Sequence, residues 1–134
     1  MDCLFCKIIE GKIASQKIYE DEAVVAFLDI FPRSIGHTVV VPKRHVETIL
    51  ELKENEVGPI FNGVRKVTQL LKDKLNPHGF TIGINHGKVS GQAIDHLHIH
   101  IIPRFEGDKG GSIHTVVDNP PKESLEEVKN LIEK

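Results

Sequence analysis

Cysteine is scarce in this chain of 134 residues: only Cys3 and Cys6 are present. Their Cys-x-x-Cys spacing raises redox chemistry or metal binding. A thioredoxin-type pair sits between a strand and a helix, and no strand precedes Cys3. Two thiolates supply only half of a tetrahedral zinc shell, so a metal needs two further ligands from elsewhere. Charge of one sign is not in excess: 17 Lys and Arg stand against 19 Asp and Glu. The net charge of −2 argues against nucleic acid or an anionic membrane as a partner, because both call for a basic surface. No apolar run approaches the roughly 20 residues of a membrane span. Met1-Asp2-Cys3 lacks the basic-then-apolar pattern of a secretory leader, which makes the cytoplasm the expected location. Repeats, low-complexity tracts and linkers are absent, so one domain over 1–134 is expected.

What is there reads as a mixed fold. Phe5 to Glu10 suits a short helix stopped by Gly11. Lys17 to Tyr19 and Ala23 to Leu28 flank Glu20-Asp21-Glu22 as a hairpin. His37 to Val41 is a β-branched run ending at Pro42. Val57, Ile60, Phe61, Val64, Val67, Leu71 and Leu75 keep helical spacing, which predicts a long helix from Glu54 to Leu75 ended by Asn76-Pro77. Phe80 to Asn85 is a further strand, and His96 to Ile102 is the last, closed by Pro103. Ser124 to Glu133 suits a short C-terminal helix. Neighbouring strands with one helix inserted favour an α+β fold on an antiparallel sheet of about five strands.

The informative stretch is His96-Leu97-His98-Ile99-His100-Ile101-Ile102. Side chains of a strand alternate faces with period two, so the three imidazoles share one face and Leu97, Ile99 and Ile101 the other. The apolar set can enter a core while three titratable rings gather in one space, which marks a site. Two chemistries suit it. One is a metal held by the imidazoles with a bound water as nucleophile. The other is direct attack by one neutral imidazole, available at pH 7 because histidine titrates near ~6.5. Asn85-His86-Gly87 and Ser90-Gly91-Gln92-Ala93 precede the run as a glycine-bearing loop whose amides can approach a phosphate. That context fits phosphoryl or nucleotidyl transfer.

His96-Leu-His98-Ile-His100-Ile-Ile resembles the signature of the histidine-triad family, in which three histidines alternate with apolar residues. Phe5-Cys6-Lys7-Ile8-Ile9, Ala26-Phe27-Leu28-Asp29-Ile30, Gly36-His37-Thr38-Val39-Val40-Val41-Pro42-Lys43 and Gly91-Gln92 match further family blocks in order. The resemblance implies the family's sheet with one long helix and short terminal helices. It implies a nucleotide hydrolase cutting at the α-phosphate of nucleoside phosphoramidates or related adenylates, with dinucleoside polyphosphates as the second substrate class. By resemblance, His98 is the nucleophile that carries the nucleotidyl group, and His100 and His37 contact the phosphate. Asp29 resembles the holder of the ribose hydroxyls. Phe5, Ile8, Ile13, Leu28 and Ile30 resemble the pocket of the base, and Asn85, Gly91, Gln92 and Ala93 the phosphate loop. Many relatives carry Ser or Thr at the position of Ala93, so a hydroxyl is missing here. An AMP-like purine nucleotide and a second copy of the chain are the implied partners, with no organic cofactor.

The resemblance also implies a structural Zn²⁺ on Cys3, Cys6, His45 and His96. Two other classes stay open at this level: a metallohydrolase with its ion inside the triad, and a nucleotide-binding regulatory module with little turnover. His78, His86 and His114 read as turn or surface residues. Lys43-Arg44 reads as an ordinary charged loop, and Asp29 has a plainer reading as the cap of a turn before Pro32.

Overall fold

The computed structural model describes residues 2–134. The elements run α1 (Leu4–Ile9), β1 (Lys17–Glu20), β2 (Val24–Leu28), β3 (Thr38–Pro42), α2 (Glu54–Leu75), β4 (Gly79–Gly83), β5 (Ile99–Arg104) and α3 (Leu125–Glu133). One five-stranded sheet has the order β1-β2-β3-β5-β4, and every neighbouring pair is antiparallel. This is the α+β architecture expected.

The central strands β2 and β3 are covered on both faces, so they read as continuous apolar runs. Period two divides them. Val24, Ala26, Val40, Ile99 and Ile101 join Leu97 and the α2 residues Ile60, Val64, Val67 and Leu71 in one core. Val25, Phe27, Val39 and Val41 join Cys3, Phe5 and Ile8 of the α1 segment in a second cluster on the opposite face. The 22-residue α2 starts where Glu56 reaches back to the Lys53 N–H at 2.8 Å, and it runs through Pro59. Its end is fixed by Asn76, which takes a left-handed conformation at φ 47° and donates to the Lys72 carbonyl.

Two expectations shift at β5. The regular ladder begins at Ile99, not His96. Val40 opposite Ile99 is the last β3 residue paired with β5, and residues 96–98 lie outside the ladder, starting from a bend at His96, and bond elsewhere: the Leu97 N–H donates to the Val46 carbonyl at 2.7 Å. Pro103 does not close the strand, which continues to Arg104. His78 N–H donates to the Arg104 carbonyl at 2.9 Å, so the bonding groups of Arg104 face the β4 side. Those of Pro103 face the other side, which β3 has already left, and its missing N–H interrupts nothing. β4 ends at Gly83, two residues earlier than expected.

Gly36 shapes the entry to β3. Its φ is +85°, and a Cβ there would collide with Leu75 Cδ1 and lie 3.2 Å from Pro103 Cγ. Only glycine turns the chain this closely under the end of α2, one residue before His37.

Candidate active site

Five histidines converge on the α1 side of the sheet. His96, His98 and His100 keep the alternation read from the sequence, although only His100 lies inside the ladder. The rings of His98 and His100 have centroids 5.0 Å apart, and those of His37 and His100 5.2 Å apart. His37 enters from the turn before β3, and His45 from the loop after it. Leu97, Ile99 and Ile101 are fully buried beneath and hold the segment against α2.

The main chain determines which nitrogen of each ring carries the proton. His98 Nδ1 lies 2.8 Å from the His96 carbonyl, which can only accept, so Nδ1 carries the hydrogen. Nε2 therefore keeps its lone pair, and it makes no hydrogen bond among the described residues. His96 is fixed the other way. Its Nε2 lies 2.8 Å from the Pro42 carbonyl and must donate, which leaves Nδ1 as a free donor of electrons. At His37 the backbone N–H of Arg33 donates to Nδ1 at 3.0 Å, so Nε2 carries the hydrogen. That hydrogen points at His100 Nδ1, 2.9 Å away. His100 is left with its N–H at Nε2.

Burial disfavours the charged form of these rings. His100 is held down at about 4, chiefly by burial, then by the neighbouring His98 and His37; Asp29 pulls the other way. Burial also lowers His37 and His96. His37 and His100 are thus neutral at pH 7 and act as hydrogen-bond donors through defined nitrogens.

Asp29 does two things at once. Its Oδ1 accepts from the Phe31 N–H at 2.8 Å, the turn-capping role of the plainer reading. Its Oδ2 lies 3.5 Å from His37 Nε2 and 3.8 Å from His100 Nδ1. Phe5 and Ile8 are buried next to this region, and Phe5 meets His98 edge-on with centroids 5.1 Å apart. Ile13 is a third exposed, and Ile30 lies largely open on the loop after β2. Leu28 lines a cavity of about 470 Å³ together with Asp29, Arg33 and His37. The residue of that block which joins Phe5 and Ile8 is Phe27, with ring centroids 5.4 Å from Phe5. Sequence reasoning passed over Phe27, yet period two from the buried Val25 singles it out.

Gln92 is buried and wholly committed inside the protein. Its Oε1 accepts from the Gly87 N–H at 2.8 Å, and its Nε2 donates to the Glu47 and Ile94 carbonyls at 2.8 and 3.1 Å. Its side chain shapes the loop. Gly91 and Ala93 are exposed on that loop, and a Cβ built on Gly91 would lie 3.8 Å from Asn85 Nδ2. Lys43 and Arg44 are paired with Glu20 and Glu56, in keeping with an ordinary charged loop.

The second constellation is Cys3, Cys6, His45 and His96, whose ligand atoms all lie within 4.8 Å of one another. Cys3 Sγ is 3.5 Å and Cys6 Sγ 3.6 Å from His96 Nδ1. His45 Nδ1 is 3.3 Å from Cys6 Sγ and 3.2 Å from His96 Nδ1. Metal–sulfur bonds of about 2.3 Å and metal–nitrogen bonds of about 2.0–2.1 Å at tetrahedral angles give S···N edges near ~3.6 Å and N···N edges near ~3.3 Å. The observed edges match, and the donor atom of His96 is the nitrogen that the Pro42 carbonyl leaves free. Burial, with Cys3 alongside, pushes the Cys6 thiol up to about 11, so a cation is needed to hold that sulfur as a thiolate. Asp29, His37 and His100 also cluster within the same limit. A metal on His37 Nε2 would move the ring proton to Nδ1, head-on against the Arg33 N–H. The tautomers admit an ion in the first constellation and oppose one in the second.

A family model, the HIT domain, matches residues 10–107. An uncharacterized HIT-like protein of Methanocaldococcus jannaschii is 52% identical over 106 residues, covering 79% of this chain and 81% of its own. The adenosine 5′-monophosphoramidase of Schizosaccharomyces pombe is 39% identical, over 82% of this chain and 80% of its own. The crystal structure of a HIT-family member from Bacillus subtilis superposes with a TM-score of 0.88 at 37% identity, over 99% of this chain and 94% of its own. With the alternating histidines and the five-stranded sheet already in place, the chain belongs to the HIT family.

Proposed function

We propose that the chain hydrolyses a nucleotide at its α-phosphorus, with His98 Nε2 as the attacking atom. One observation carries this reading: the backbone claims Nδ1–H of His98 and leaves the opposite lone pair unused beside His100. The lone pair forms a bond to phosphorus while the bond to the leaving group breaks, and the leaving amine takes up a proton. Water then attacks phosphorus and gives one proton to solvent, balancing the one the amine took from solvent, the P–Nε2 bond breaks, and the neutral ring is restored. The Nε2–H of His100 is available to the phosphoryl oxygens or the leaving group, and the His37 N–H keeps His100 in that tautomer. Exposed main chain at Gly91 and Ala93 supports a role for this loop in holding the phosphate.

Asp29 is positioned to accept from ribose hydroxyls, and Phe5, Ile8 and Phe27 form the apolar wall for a base. Adenosine phosphoramidates are the first substrate choice, supported by the named activity of the fission-yeast relative, and dinucleoside polyphosphates the second. A structural Zn²⁺ on Cys3, Cys6, His45 and His96 ties α1 to the triad. With four protein ligands it has no open position, and its chemistry is restricted to folding.

A homodimer completes the reading. β4 is an edge strand, and beside it lies an open groove of about 510 Å³ lined by Phe61, Val64, Phe80 and Ile82 among others. A second copy placed there would cover partly exposed Phe61 and Ile82.

The test is an acid quench after mixing with an α-phosphate-labelled adenosine phosphoramidate. Label on the wild-type chain and none on His98→Ala supports the covalent route. Turnover without label, or label that survives His98→Ala, removes His98 from that role.

A further inference from the structure

The Cys-x-x-Cys pair does more than offer two ligands. Cys3 is the N-cap of α1, and the Cys6 N–H points at Cys3 Sγ from 3.4 Å. The two sulfurs thus face one another across a single helical turn, within the 4.8 Å envelope of the tetrad. This i, i+3 arrangement at a helix start is one in which a disulfide closes with little backbone movement. Cys3 is buried, whereas Cys6 is partly exposed and is the sulfur an outside oxidant reaches first.

The same turn is coupled to the nucleophile by two routes. Phe5, between the cysteines, meets His96 and His98 edge-on, with centroids 5.9 and 5.1 Å away. His96 gives its Nδ1 to the tetrad and its carbonyl to His98 Nδ1–H, 2.8 Å away. The Pro42 carbonyl still holds the His96 ring and Val46 still holds the following peptide, so loss of the tetrad loosens the group that orients His98 without cutting it free.

We propose that Cys3 and Cys6 are a site of reversible peroxide oxidation that expels the zinc and loosens the working orientation of His98. The inference rests on the zinc and nucleophile assignments made above. In the step, the Cys6 thiolate attacks one peroxide oxygen, the O–O bond breaks, and a sulfenic acid forms with hydroxide leaving. The Cys3 thiolate attacks that sulfur, forming the S–S bond and releasing a second hydroxide. Two protons convert both hydroxides to water. Two thiolates lose two electrons, peroxide gains them, and Zn²⁺ leaves unchanged in oxidation state. A disulfide sulfur is a poor zinc ligand, and His45 with His96 make only half a shell. A thiol reductant and fresh zinc reverse the change.

The experiment treats the zinc-loaded full chain, freed of reductant, with a few equivalents of hydrogen peroxide. A coloured chelator follows zinc release, peptide mass spectrometry follows residues 3 and 6, and ¹⁵N NMR of the imidazoles follows the His98 tautomer. Turnover of an adenosine phosphoramidate is measured in parallel. One zinc released per chain, a loss of 2 Da in the Cys3–Cys6 peptide and a mixed-tautomer His98 signal are expected. Turnover should drop at least tenfold and return with dithiothreitol plus zinc. A Cys6→His variant retains four ligands and should keep its zinc under the same treatment. Zinc retained after the thiols are oxidised overturns the proposal. So does zinc released with an unaltered His98 signal. An untreated chain that turns over no nucleotide defeats the catalytic reading instead, and the zinc, mass and NMR readouts still decide the switch.

Discussion

The Nδ1–H of His98 donates to the main-chain carbonyl of His96 at 2.8 Å, so one histidine orients the next through the backbone of their own strand. In the proposed mechanism the two residues nevertheless serve different centres. His98→Ala should cut turnover by at least ~1000-fold, as removal of a nucleophile does. It should leave one zinc per chain and a thermal midpoint close to wild type. His96→Ala should lose the zinc and the activity together, and lower the midpoint by several degrees. Metal content by mass spectrometry and a melting curve separate the two. A zinc that departs in His98→Ala would mean that the ion sits among the triad.

Acid should destabilise the fold through His100. Its folded value of about 4 lies below the ~6.5 of an unfolded histidine, so the unfolded chain binds a proton that the folded chain refuses. Stability is therefore complete above ~6.5 and falls as pH drops toward 4, by up to about 3 kcal/mol from this group. His37 is shifted in the same direction. Urea midpoints at pH 7.5, 5.5 and 4.5 should fall more steeply for wild type than for His100→Gln. Parallel curves would show that His100 titrates normally in the folded chain.

Asp29 can be split into its two functions. Asp29→Asn keeps an oxygen for the Phe31 N–H and removes the charge near His37 and His100. It should raise the KM for a nucleotide about tenfold, in line with losing one charge-assisted hydrogen bond of ~1.5–3 kcal/mol, with little change in melting. Asp29→Ala should show the same kinetic loss and a lower midpoint besides, because the turn cap goes too. Equal melting of the two variants would show that the Oδ1 contact contributes little.

At the sheet edge, Ile82→Asp should shift the chain from dimer to monomer in light scattering coupled to gel filtration. Ile82 is 41% exposed in the single chain and borders the groove beside α2, so a charge there should be harmless to a monomer. If the wild type itself runs as a monomer, the dimer reading is lost.

The architecture could be read from the residues because periodicity and core agree. The stripe from Val57 to Leu75 gave α2 its bounds, and alternation at Leu97, Ile99 and Ile101 gave β5 its faces. Boundaries set by long-range pairing could not be read. β5 starts at Ile99 because β3 stops pairing beyond Val40, and strand pairing leaves no local trace. The same holds for Pro103, whose tolerance depends on which neighbour β3 has ceased to cover. In the site, residue types and spacing pointed to the three alternating histidines and the cysteine pair, and the family resemblance added His37 and His45. The proton positions did not follow from types at all: they rest on Pro42, Arg33 and His96 main-chain atoms brought in by the fold. Phe27 was hidden by its neighbour Leu28, since an apolar run buried on both faces conceals which member looks toward α1.

Arg33 contributes a peptide N–H where Pro42 contributes a peptide C=O, and that single difference sorts two kinds of visitor. The ring touched by the oxygen is left with a basic nitrogen for a cation. The ring touched by the amide is left with a hydrogen that it donates to His100, whose own N–H then faces outward in the proposed phosphate site. Neither outcome depends on the chemistry of Arg33 or Pro42 side chains, so a substitution at either position that preserves the loop would leave the sorting intact. On the proposed reading, selectivity between ion and phosphate at two neighbouring imidazole clusters thus belongs to the path of the backbone.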